Sequence, residues 1–109
     1  MRKAKVLFKN EEAGMLTQWD DGSFSFQYLH QWLINIEKPS ISLTLPKSKK
    51  EFHSPYLFAF FYNLLPEGSN KYVVCQRKKI DPDDAFGILL YTAKYDCIGA
   101  VRVINIENP

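Results

Sequence analysis

The chain has 109 residues, 46% of them hydrophobic and 24% charged. This fits one domain with its own core and excludes both a disordered chain and a pair of ordinary domains. The formal charge of +2 is too small for the basic stripe expected of a nucleic-acid binder. No apolar run has the length of a secretion signal or a membrane span, so cytoplasmic residence is the expectation.

The first half reads as strands. Val6-Leu7-Phe8 is short and apolar, Asn10-Glu11-Glu12 breaks it, and residues 14–19 can pair back against it. Asp20-Asp21-Gly22-Ser23 is a strong hairpin signal, because glycine tolerates positive φ and aspartate favours turns. Phe24, Phe26 and Tyr28 then alternate with Ser25 and Gln27, the period of a strand with one buried face. Residues 29–34 are ambiguous and can form a helical turn. Ile41, Leu43 and Leu45 alternate with Ser42 and Thr44, which predicts another strand ending at Pro46. The polar stretch 47–53 reads as a loop, and its basic cluster Lys47-Ser48-Lys49-Lys50 as a solvated one.

The second half changes period. Ser54-Pro55 predicts an N-cap followed by proline at the first helical position, opening a helix over residues 56–65. Pro66 interrupts it, and Pro66-Glu67-Gly68 opens a second helix that runs to Lys79. Asp81-Pro82-Asp83-Asp84 is the clearest start signal, with Asp81 as the cap of a third helix carrying Phe86, Leu89, Leu90 and Ala93. Gly99 precedes a last strand over about residues 100–106. The order predicts an α+β fold, a single domain over residues 1–109 in which a small antiparallel sheet carries about three short helices on one face.

Few residues suit chemistry. His30, His53, Cys75 and Cys97 are isolated from one another, whereas zinc ligands come in close pairs. The two cysteines either form one disulfide or stay as free thiols in a reducing cytosol, and the second reading is favoured. The carboxylate pairs Asp20-Asp21 and Asp83-Asp84 are explained by a turn and a helix cap. The five glycines are scattered, with no phosphate-cradling pattern. Asp84-Ala85-Phe86-Gly87 is only superficially like the kinase Asp-Phe-Gly motif, since it has an extra alanine and no His-Arg-Asp elsewhere. No catalytic residue, cofactor or metal is expected.

Aromatic residues make up 15% of the chain, and the excess hints at a second buried surface. It is densest over residues 56–65. At helical spacing Leu57, Phe60, Phe61 and Leu64 gather on one side as a core stripe. Phe58, Tyr62 and Leu65 form a second stripe beside it. A helix apolar nearly all round must be covered on more than one side. Either the sheet and the other helices cover it all, or part of it meets another protein. On the second reading Phe58, Tyr62 and Leu65, with Pro66, Glu67, Gly68 and Asn70 of the following turn, supply the partner-binding surface.

Three separated motifs carry a family resemblance: Phe61-Tyr62-Asn63-Leu64-Leu65-Pro66-Glu67-Gly68, Asp81-Pro82-Asp83-Asp84-Ala85-Phe86-Gly87-Ile88-Leu89, and Asp96-Cys97-Ile98-Gly99-Ala100-Val101. With Gly14-Met15-Leu16, Phe24-Ser25-Phe26-Gln27-Tyr28 and Ile41-Ser42-Leu43-Thr44-Leu45-Pro46 upstream, the chain resembles the N-terminal domain of HipA-like serine/threonine kinases over nearly its whole length. In those proteins a kinase core follows, whereas this chain begins at Met1 and stops at Asn108-Pro109. The resemblance therefore implies a free-standing form similar to HipS, the antitoxin of HipBST toxin–antitoxin modules. Its implied partner is a HipA-like kinase toxin lacking its own N-terminal domain, which it would bind and inhibit. A helix-turn-helix DNA-binding protein would complete a ternary complex, without direct nucleic-acid contact by this chain. The alternatives are a non-inhibitory module of a kinase/repressor complex and the N-terminal part of a longer HipA-like kinase.

Overall fold

The computed structural model describes residues 1–65, 68–92 and 100–106 and, over 68–72, the backbone alone. Its centre is a five-stranded antiparallel sheet formed by β1 (Arg2–Phe8), β2 (Glu11–Gln18), β3 (Phe24–Tyr28), β4 (Glu51–Ser54) and β5 (Val101–Asn105), in the order β4-β3-β2-β1-β5. Four short helices join them: α1 (His30–Ile34), α2 (Ala59–Tyr62), α3 (Gly68–Lys78) and α4 (Ala85–Thr92).

Two tight turns set the register. Lys9 and Asn10 both take positive φ, 50° and 69°, as a two-residue turn matched to strand twist requires. The second hairpin turns at Gly22, whose φ of +88° is open to glycine alone among common residues. There Gly22 N–H donates to the Trp19 carbonyl at 2.9 Å, and Asp21 Oδ1 accepts from Ser23 N–H at 2.9 Å and from its hydroxyl at 2.6 Å. The resulting pairing sets Leu16 between Ala4 and Phe26, and Gly14 between Val6 and Tyr28. One face is therefore apolar, and Trp32, Ile41, Leu45, Phe61, Phe86 and Leu89 close over it in a single core cluster. The other face is polar, with ion pairs such as Lys5–Glu12 at 3.0 Å.

Three expected elements differ. Residues 41–45 form no strand; Ser42 and Leu45 make an isolated bridge across a tight turn. Ile41 and Leu45 are buried as the alternation predicts, but Leu43 is 98% exposed. The turn is held by Tyr28, whose buried hydroxyl accepts from Ile41 N–H at 3.1 Å and donates to the Leu45 carbonyl. The sheet edge beside β3 is occupied instead by β4, so part of the expected 47–53 loop is a strand, with Phe52 opposite Phe26. Ser54 consequently pairs with Phe24 and caps no helix. Phe58 still has an extended ψ of 141°, and α2 keeps only one turn of the expected ten-residue helix.

A fourth correction concerns the cap of α4. Asp81 shapes the preceding turn, with its Oδ1 accepting from Asp83 N–H at 2.9 Å. Asp84 is the residue that caps the helix, its Oδ1 accepting from Gly87 N–H at 3.1 Å. The same carboxylate takes both ends of the Arg2 guanidinium, at 2.7 and 3.1 Å, while Arg2 Nε donates to Gln18 Oε1 at 2.8 Å. The guanidinium also lies 5.0 Å from the centre of the Phe86 ring.

Asp84→Ala is expected to destabilise the fold by about 1–3 kcal/mol through loss of the cap and of the Arg2 fork. Asp81→Ala loses one exposed turn bond and less stability; urea melts of the two variants check the order. The hydrogen bonds from Arg2 hold the Asp84 carboxyl below its ordinary value of 3.8 against opposing desolvation, and Gly87 N–H adds to them. A depressed folded-state pKa stabilises the fold above the unfolded value. The stability gap between the wild type and Asp84→Asn should thus be flat above that range and shrink as pH falls below 3.8, as acid titration of the urea midpoint would show.

Candidate partner-binding face

The chain leaves β4 at Ser54 and crosses from the sheet edge to its apolar face through Pro55, Tyr56 and Leu57. Phe61 then drops into the core with no exposed surface. Its ring meets Phe26 at 5.8 Å, Phe60 at 5.2 Å and Phe58 at 6.4 Å between centroids. Successive helical residues point about 100° apart, so burial of Phe61 turns Tyr62 outward, where it is 55% exposed. Tyr56 stands 78% exposed on the crossing segment. Two tyrosines thus face solvent where the sequence pattern places a continuous apolar helix.

The expected partner-binding residues divide. Tyr62 is at the surface. Phe58 is half-buried and packs against the core. Leu65 is 8% exposed and belongs to the core cluster, so it offers a partner little area. Gly68 and Asn70 lie in the first turns of α3. Pro66 and Glu67 lie outside the described residues. Of the expected core stripe, Phe61 is buried, and Leu57, Phe60 and Leu64 are partly buried against the core. Tyr56 is the residue the periodicity missed. Its only sequence signal is its place directly after Pro55, at the edge of the aromatic run.

Tyr56 and Tyr62 border a groove of about 300 Å³. Phe24, Leu57 and Phe86 line it, with Asp83 at the start of α4. A larger concavity of about 500 Å³ lies on the opposite, polar side, where Lys3, Met15, Trp19, Gln27, His30 and Lys50 are among its lining residues. There Trp19 Nε1–H donates to Ser25 Oγ at 3.1 Å. Among the described residues, no three His, Cys, Asp or Glu side chains gather as metal ligands. Nor is any helix long and apolar enough to cross a membrane. Cys75 is a buried free thiol, and Cys97 and Ala93 lie outside the described residues. What the groove supplies is an aromatic rim, an apolar floor and a carboxylate, a set suited to holding a side chain of another molecule.

Comparison with known proteins agrees with this geometry. The HipA N-terminal domain family matches residues 4–104. A Haemophilus influenzae protein described as uncharacterized is 32% identical over 103 residues, covering 94% of this chain and 92% of that one. A Sinorhizobium fredii protein named as a candidate kinase, Y4mE, is 30% identical over 89 residues, covering 82% of this chain but 21% of its own length. A solved structure, the N-terminal domain of HipA toxin, superposes with a TM-score of 0.72 at 30% identity over all of this chain and 96% of that one. This domain is not itself the kinase domain, and the chain belongs to the HipA N-terminal domain family.

Proposed function

We propose that this protein is a cytoplasmic, non-enzymatic antitoxin-type domain that binds a HipA-like serine/threonine kinase in trans and holds it inactive. The observation that carries the reading is the exposed pair Tyr56 and Tyr62 on a rigid aromatic core, in a chain of a kinase-associated family. The two side chains border one groove, and tyrosine is a favourable interface residue because it buries much area while losing few rotamers. The match to 92% of the Haemophilus protein supports a domain that occurs by itself.

Inhibition needs no chemistry from this chain. A kinase is active only when its nucleotide-binding loop, its paired lysine and glutamate and its metal-binding aspartate are in place together. A domain docked on the smaller lobe that holds one of these parts away is sufficient. The match within Y4mE, where the related segment is about a fifth of a longer chain, favours a second reading: this fold as the N-terminal part of a larger kinase. Sequencing the surrounding reading frames separates the two. A neighbouring kinase without this domain supports action in trans, and an in-frame kinase core following residue 109 overturns it. The functional test is co-expression with that neighbouring kinase. Growth rescue is expected, and continued toxicity in the presence of a stable complex would leave only the accessory role.

Tyr62→Ala should weaken complex formation by about 2 kcal/mol, the size of an interface hot spot, with little change in melting temperature because the ring is largely in solvent. Leu65→Ala should do the reverse, lowering stability by about 2–4 kcal/mol as a core truncation, yet binding normally at equal folded concentration. Melting curves and calorimetric titration against the kinase, run on both variants, check the pair of outcomes.

A further inference from the structure

We infer that the groove beneath Tyr56 and Tyr62 receives an arginine side chain of the kinase partner, clamped by Asp83; the inference rests on the kinase-binding reading above. The groove's volume of about 300 Å³ is on the scale of a single long side chain rather than a helix or a cofactor. Its floor lies over Phe24 and Phe86, which are buried, so the aromatic faces open to a ligand are those of the rim residues Tyr56 and Tyr62, beside the acidic Asp83. A guanidinium fits both properties, because it stacks on aromatic faces and forks onto carboxylates, whereas an ammonium does the second only as a point charge.

The charges around the groove are unbalanced. Asp83 and Asp84 line it, and in the hairpin that contributes Gly22 to the lining Asp20 and Asp21 come just before that glycine in sequence. Among the described residues, no lysine or arginine lines the groove. Two cations among them that bond to these acids are already engaged. The Met1 amino group pairs with Asp20, and Arg2 pairs with Asp84. Asp83 contributes its backbone N–H to the turn at Asp81, and among the described residues none donates to its carboxylate. A carboxylate left open beside aromatic walls is complementary to a cation from outside.

The molecule already contains this recognition once, in its own packing. Arg2 sets its guanidinium 5.0 Å from the Phe86 ring centre while forking onto Asp84. The groove offers a second aromatic–carboxylate pair one residue away, Tyr56 and Tyr62 with Asp83, and nothing in the described chain fills it. The partner's arginine would repeat the Arg2 arrangement from outside.

The test is the affinity of the full chain for its HipA-like kinase partner, with Asp83→Asn as the variant. Loss of a charged hydrogen-bonding partner at an interface should weaken binding about tenfold, with the melting temperature unchanged because Asp83 is exposed. Raising salt from about 0.05 M to about 0.3 M should weaken the wild type more than Asp83→Asn, since one screened ion pair is missing from the variant. Phenylglyoxal labelling of the kinase, saturated with this protein, should show one arginine protected by the wild type and reactive again with Asp83→Asn. Equal affinity of the two proteins, equal salt dependence, or no protected arginine each overturns the inference while leaving the kinase-binding function standing. Absence of any complex with the wild-type chain removes the function and the inference together.

Discussion

The packing of Phe61 on Phe26 governs the rest of the molecule. Phe26 can lie flat across β2 only because Gly14 has no side chain there. A Cβ at Gly14 would sit 2.6 Å from the Gln27 carbonyl oxygen and 2.7 Å from Phe26 Cζ, distances that neither backbone nor a packed ring can accommodate. With the ring down, Phe61 seats on it and draws the crossing segment over the sheet, and Phe58 and Phe60 follow against its edges. α2 is then reduced to the one turn needed to place Phe61, and its neighbour Tyr62 has no direction left but outward. The exposed tyrosine surface is thus a consequence of core packing, one residue removed from it.

A second tether fixes the other wall of the groove. Arg2 and Asp84 are separated by 82 residues, yet their fork joins the first strand to the start of α4 and lays Phe86 under the guanidinium. Both side chains are about a third exposed, so the pair contributes modestly to stability. Its effect is positional. The Asp84 carboxylate is held for the cap of α4, and that cap sets where Asp83 and Phe86 face. Phe24 stacks on Phe86 at 5.9 Å from the sheet side, closing the floor. Groove, hairpin and helix start are therefore tied together by the fork and the ring stack.

Much of this was legible in the chain. The alternation of Phe24, Phe26 and Tyr28 and the turn at Asp20-Asp21-Gly22-Ser23 express local rules, and tertiary packing agrees with them. The misreadings fall where a non-local partner overrides a local pattern. Ile41 and Leu45 carry strand periodicity, but the edge of β3 is taken by β4. The hydroxyl of Tyr28, distant in sequence, bends them into a turn instead. Ser54-Pro55 is a sound helix start by local chemistry, yet Ser54 is taken by pairing with Phe24. Asp81 before Pro82 carries the local cap signal, yet Asp84, held by Arg2, is the residue that caps α4. The site followed the same logic. Tyr62 was visible as a surplus apolar residue, Leu65 was not separable from it by spacing, and Tyr56 carries no periodic signal at all because it lies on an extended segment.

Restraining a kinase is a demand on differential affinity rather than on affinity alone. To keep a two-state enzyme about 99% inactive from an active-favouring balance of the same size, a ligand must prefer the inactive arrangement by about 10⁴-fold, or about 5.5 kcal/mol. A flexible loop would lose much of any such preference to its own ordering. Here the proposed contact residues stand on short segments pinned by Phe61 on one side and by β4 pairing on the other, so little freedom is left to lose. Each hot-spot side chain supplies about 2 kcal/mol when fully desolvated. Two rigid tyrosines and one open carboxylate are therefore of the right order, provided that the inactive arrangement of the kinase presents all three counterparts at once and the active arrangement does not. Under the proposed function, the requirement falls on the geometry of the partner's smaller lobe, and this domain serves as the fixed template against which that geometry is selected.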